Sequence, residues 1–196
     1  MTYSTDYFTL GPEQIISLGV VLVWSLALIV IGAVSTGRAR VAEIDFIFGR
    51  ALIPPLFTVV SLLGPIPFPV IAYLVLGLSL ISAVVVWRRD GRLVDGNLMR
   101  ALVLGAPLII LVADMIPSQW DEFSTWLPNA RYLLDHGAYP RTGHETKHLV
   151  FPAYPYGIPL LIYLVSLIKN GMVEHAGALF NLFLYLCFAV LVARIV

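Results

Sequence analysis

Apolar residues run along this chain in blocks of about twenty, and the short segments between the blocks hold most of the charge. An α-helix rises 1.5 Å per residue, so about 20 apolar residues cross the roughly 30 Å hydrocarbon core of a bilayer. The blocks predict spans at about 14–34, 47–63, 70–87, 98–116, 152–168 and 173–192. Pro54-Pro55 falls inside the second block. Paired prolines remove backbone donors and clash with the preceding turn, so this span is expected to kink or to start late. Gly64-Pro65-Ile66-Pro67-Phe68-Pro69 reads as a turn, and Asp90-Gly91 closes the third span.

The segment after the fourth block has a different period. Phe123, Trp126, Leu127, Ala130, Leu133 and Leu134 recur at helical spacing and predict one apolar face. Asp121, Glu122, Asn129, Arg131 and Asp135 lie mostly off it. Ser118 and Asp121 resemble a capping box, and Gly137 suits a C-terminal stop. Pro128 forbids one unbroken helix. A restart capped by Ser124 or Thr125 would place it in a tolerated first turn. The fold class expected is thus an all-α membrane protein, with about six transmembrane helices and a juxtamembrane amphipathic helix between spans four and five.

Composition agrees. The chain is 59% hydrophobic and 12% charged, against about 25% charged for a soluble domain. Its mean hydropathy is +0.89. Zero net charge argues against a broad nucleic-acid surface. Cys187 is the single cysteine, so neither an intrachain disulfide nor a cysteine metal cluster can form. The N-terminal segment carries Asp6 and Glu13 and no Lys or Arg before Arg38, which does not suit a cleaved signal peptide.

Counting six crossings puts Arg38, Arg40, Arg50, Arg88, Arg89, Arg92, Arg100 and Lys169 on one side. Arg131, Arg141, Lys147 and Arg194 fall on the other. The positive-inside rule then makes the N-terminus and loop 117–151 extracytoplasmic, in an integral protein of the plasma membrane. The chain stops within a few residues of an apolar span, so it is expected to be the N-terminal portion of a longer protein.

The loop gathers the polar chemistry. Asp121 or Glu122 could act as a general base or hold a divalent metal through oxygen ligands. Alternatively, the pair simply favours the positive end of a helix dipole. Arg131, Lys147, His144 and His148 could bind phosphate. Tyr154 and Tyr156 could stack on a sugar or line the interface as an aromatic belt with Trp120 and Trp126. His144-x-x-x-His148 lacks the His-Glu-x-x-His order of zinc proteases. Asp114, near the end of span four, is a further candidate because intramembrane carboxylates are costly.

Trp120-Asp121-Glu122-Phe123, then Asn129-Ala130-Arg131, Gly137-Ala138-Tyr139-Pro140 and Tyr154-Pro155-Tyr156-Gly157-Ile158-Pro159-Leu160 together resemble the first extracytoplasmic loop of GT-C glycosyltransferases. These polytopic enzymes take a sugar from a polyprenyl-phosphate carrier. They include the protein O-mannosyltransferase-like and lipid A-modifying groups. The resemblance covers about residues 98–196 and leaves 1–97 as a three-span N-terminal extension. It implies a catalytic or metal-binding role for Asp121, with Glu122 beside it and Mg or Mn as the candidate ion. It also implies a polyprenyl-phosphate-linked sugar as partner besides the bilayer. Substrate contacts would fall to Arg131, Lys147, His148, Tyr154 and Tyr156. The chain departs from the family in two places. Its acidic loop follows the fourth span instead of the first, and Ala153-Tyr154-Pro155-Tyr156 stands where many members carry His-Pro-Pro or Lys-Pro-Pro.

Two other function classes compete. A non-enzymatic membrane subunit could use the loop to bind a lipid carrier or a partner. A transporter fits less well, because its spans should be broken or polar near mid-membrane.

Overall fold

The structure, a computed structural model, describes residues 11–36, 41–64, 66–115, 117, 120–141, 149 and 155–196. The described chain is helical: α1 (Pro12–Thr36), α2 (Ala42–Leu63), α3 (Phe68–Asp90), α4 (Gly96–Ala113), a π turn (Glu122–Trp126), α5 (Leu127–His136), α6 (Gly157–Lys169) and α7 (Ala176–Ile195). Five helices, all but α5 and α6, are long and apolar enough to cross a membrane, and α6 is a shorter apolar one. This is an all-α membrane protein with five long apolar helices and a sixth, shorter one, consistent with the about six that the pattern predicts. Large apolar side chains such as Leu62, Leu63, Leu80 and Leu104 point outward, which suits lipid and not water.

α1 is the hub and touches α2, α3, α4, α6 and α7. Its closest partner is α2, and glycines make that approach possible. A Cβ built on Gly32 would lie 1.9 Å from the Asp45 carbonyl oxygen. One on Gly49 would lie 1.9 Å from the Leu28 oxygen. Each glycine thus receives the other helix's backbone, the small-residue packing that membrane helices favour. Trp24 on α1 reaches the other way and donates its indole N–H to the Leu164 carbonyl of α6 at 2.9 Å.

α2 departs from expectation. It begins at Ala42, earlier than the apolar block, and runs through Pro54 and Pro55 as one helix. Thr58 Oγ1 donates to the Pro54 carbonyl at 2.8 Å. This is ordinary i−4 back-bonding on the helix; the carbonyls that the two prolines leave without a helical donor are those of Arg50 and Ala51. The early start brings Glu43 and Asp45 into the fold, both 0% exposed. Neither is left alone. Arg194 at the end of α7 donates to both Glu43 oxygens at 3.1 and 3.3 Å and pairs with Asp95 before α4. Thr36 donates to Asp45 at 2.7 Å. Arg89, at the end of α3, donates to the Ala33 carbonyl at 3.3 Å and pairs with Asp90 at 3.0 Å. The ends of α1, α3 and α7 therefore meet the starts of α2 and α4. Arg50 lies deeper, bonded to Asn181 Oδ1 at 2.7 Å and to the Phe180 carbonyl at 3.1 Å.

The opposite end carries a correction. Lys169, expected with the arginine-rich end, pairs with Glu13 at the start of α1 at 2.8 Å. Arg194, expected at the loop end, lies instead among the carboxylates at the arginine-rich end. The reason is the length of α6: its 13 residues span about 20 Å, short of a full crossing. It starts beside Tyr139 and ends beside Glu13, both toward the loop end. Because Lys169 and Arg194 exchange ends, the basic imbalance is unaltered. α6 is enclosed by the other helices, and every residue from Pro159 to Ser166 is buried. One continuous core joins α1 to α7 through Phe57, Phe68, Tyr163 and Phe180.

Candidate functional site

The polar chemistry gathers at the loop end, positioned by the π turn and α5. Among the described residues, helix runs from Trp120 through the π turn into α5 without a break. Ser124 and Thr125, expected as caps, are both buried, and their hydroxyls lie 3.2 Å apart. Pro128 is tolerated for another reason than a restart. It sits at the first turn of α5, directly after the widened turn, where i→i+5 spacing replaces the usual ladder. Asp121 makes no side-chain cap bond, and its proposed partner Ser118 lies outside the described residues. Gly137 stops the helix as predicted. It takes φ 60, favoured by glycine, and its N–H donates to the Leu133 carbonyl at 2.8 Å.

The extra residue of a π turn rotates whatever precedes it by about 100° relative to the helix that follows. Leu127, Ala130 and Leu133 are buried as the periodicity predicts, and Trp126 and Leu134 pack partly against the core. Phe123, upstream of the shift, turns outward and is 56% exposed. Trp126 therefore belongs more to the core than to an exposed aromatic belt, whereas Trp120 is exposed.

α5 lies across α6 and is tied to two other helices. The Phe68 N–H of α3 donates to the Gly137 carbonyl at 2.7 Å. Arg141 donates to the Ser61 carbonyl at the end of α2 at 2.9 Å. Tyr139 packs edge-on against Phe68 and Tyr156. Tyr156 donates weakly to buried Asn129 at 3.5 Å. Burial pushes the Tyr139 and Tyr156 phenols above their ordinary value.

The outer side of α5 borders a groove of about 500 Å³. Phe123, Leu127 and Pro128 supply its apolar wall. Arg131, Tyr132, Asp135 and His136 supply the polar one, faced by Leu149 and Glu174. Arg131 is exposed and makes no ion pair with the described residues. Tyr132 and His136 stack at 4.0 Å with planes 11° apart. Of the residues singled out in the sequence, the groove takes Arg131. Asp121 and Glu122 stand on the same helical element about 15 Å from it along the axis, Asp121 exposed and Glu122 half-buried. Tyr156 packs inward. His144, Lys147, His148 and Tyr154 lie outside the described residues. Sequence reasoning missed the Tyr132–His136 stack, although i,i+4 spacing on a helix signals it. It also missed Glu174, which local pattern does not connect to α5.

A second cavity, of about 210 Å³, opens where α1 begins, α4 ends and α6 turns into α7. Asp114 and His175 line it, and burial together with nearby Lys169 lowers the His175 pKa. The unfolded chain then takes a proton first as pH falls through about 6.5. Stability should be full above that pH and decline below it until folded His175 also titrates. His175→Gln should flatten thermal-unfolding midpoints measured in detergent between neutral and mildly acidic pH. An equal decline in variant and wild type would assign the effect to other groups.

Neither a protein-family profile, nor a curated protein, nor a solved structure matches this chain.

Proposed function

We propose that this chain is a membrane glycosyltransferase, or the N-terminal part of one, of the GT-C type. It transfers a sugar from a polyprenyl-phosphate carrier to an extracytoplasmic acceptor, and it resides in the plasma membrane of a cell envelope. The observation that supports this reading most is the pairing of two chemistries on one element. Arg131 faces a half-apolar groove, and an acidic pair stands at the start of the same helical element. A carrier lipid presents a phosphate, a sugar and a hydrocarbon tail together. Arg131 suits the phosphate through charge-assisted hydrogen bonds, and the wall of Phe123, Leu127 and Pro128 suits the apolar parts. The orientation that puts this end outside the cytoplasm rests on the basic residues of the opposite end.

In the reaction the acceptor oxygen attacks the anomeric carbon while the carbon–oxygen bond to the phosphate breaks. The acceptor proton passes to the Asp121 carboxylate, and polyprenyl phosphate leaves with inversion at carbon. Asp121 and Glu122 by themselves fall short of a Mg or Mn site, since among the described residues no three His, Cys, Asp or Glu side chains converge as metal ligands, and no step is routed through an ion.

Arg131→Gln tests the groove. Losing a charge-assisted bond should weaken polyprenyl-phosphate binding to the purified protein by roughly 10- to 100-fold, with neutral polyprenol binding unchanged. Equal affinity of variant and wild type for the phosphate would remove Arg131 from the site.

A further inference from the structure

We propose that the second cavity, between the start of α1, the end of α4 and the α6–α7 connection, binds a primary ammonium group. Two wall atoms carry the inference. Asp114 Oδ2 and His175 Nε2 are both buried and both lack a hydrogen-bond partner among the described residues. Buried polar atoms are rarely left unmatched, because an unmade bond costs desolvation with no return.

The charges around them set the sign of the ligand. Lys169 is already matched by Glu13 at 2.8 Å. That leaves Asp114 and Glu174 as the negative groups of the wall. His175, its protonation disfavoured by burial and by Lys169 against the opposing pull of Asp114, offers Nε2 as a hydrogen-bond acceptor in the neutral tautomer that carries its proton on Nδ1. Ser17 donates its hydroxyl to the Glu13 carbonyl at 2.8 Å. The site therefore presents buried acceptors and excess negative charge. A primary ammonium, with three N–H donors and one positive charge, is the complement. Among the described residues no three His, Cys, Asp or Glu side chains converge as metal ligands, so an organic cation suits the cavity better than a bare ion. This site stands apart from the Arg131 groove, although Glu174 borders both. The ammonium could belong to a free amine or to an ethanolamine lipid headgroup, since the cavity lies at one end of the bundle.

The test uses the whole chain purified in detergent, with thermal unfolding followed against ethylammonium chloride. Sodium chloride and tetramethylammonium chloride at equal ionic strength are the controls, the second being a cation with no N–H. Ethylammonium should raise the unfolding midpoint saturably, and neither control should. Asp114→Asn keeps size and fold, because the helix-end bonds at Asp114 use its backbone N–H. It should raise the half-saturating concentration roughly tenfold or more, and exposed Glu174→Gln should raise it less. In bilayer discs, a headgroup occupant would make phosphatidylethanolamine stabilise the protein over phosphatidylcholine and blunt the added amine. A free-amine site would respond equally in both. No saturable response to ethylammonium, or the same response in Asp114→Asn and wild type, would overturn the proposal and leave ordered water as the partner of these atoms.

Discussion

Gly49→Ala is expected to destabilise the bundle by about 3 kcal/mol or more, the upper range for forcing an atom into a packed interior. The added Cβ would meet the Leu28 carbonyl oxygen at 1.9 Å and its carbon at 2.6 Å. These are backbone atoms of α1, so no side-chain rotation relieves the clash and the two helices must move apart. Separation would also break the reciprocal seat of Gly32 against Asp45 and loosen the Thr36–Asp45 bond beside it. Because α1 touches five other helices, a shift here propagates through the core. Gly19→Ala on α1 is the control. Nothing lies within 4 Å of its Cβ position, and alanine is the better helix former by about 1 kcal/mol or less. It should leave the unfolding midpoint equal or higher. A loss of similar size in both variants would show that the close α1–α2 approach at Gly49 does not set the response.

Much of this architecture was legible in the chain. Block length and composition announced the membrane helices, and Gly137 and Gly91 marked helix ends that the structure confirms. What failed did so for physical reasons. Pro54 and Pro55 were expected to kink the second span or delay its start, yet the helix begins early, at Ala42, and carries both prolines inside it. The length of the fifth apolar block suggested a crossing. Its helix is short and enclosed by the others, which moved Lys169 and Arg194 to opposite ends. A π turn leaves no reliable mark on hydrophobic periodicity, so Phe123 was placed on the wrong face. Glu43 and Asp45 precede the second apolar block and carried no signal of burial, since Arg194, which pairs with Glu43, lies about 150 residues away in sequence. In the candidate site, Arg131 and the acidic pair were visible as residue types. The groove that frames Arg131 was not, since Glu174 reaches it through the tertiary fold.

The largest effect on function is expected at Asp121. Inverting transfer needs a negative group to receive the acceptor proton as the new bond forms, and Asp121 is the carboxylate assigned that task. It is exposed and makes no capping bond among the described residues, so Asp121→Asn removes charge while keeping the side chain's size and an acceptor oxygen. Membrane insertion and abundance should stay near normal. Sugar transfer should fall by roughly 10²-fold or more, the scale of a lost general base. Glu122→Gln should be milder, because Glu122 is assigned a supporting part. The deciding measurement is acceptor labelling in membranes holding the full-length protein and supplied with polyprenyl-phosphate sugars. The account predicts transfer by wild type and a loss of about 10²-fold or more in Asp121→Asn at equal protein level. Transfer by the variant at the wild-type rate, or no transfer by wild type from any such donor, would contradict it.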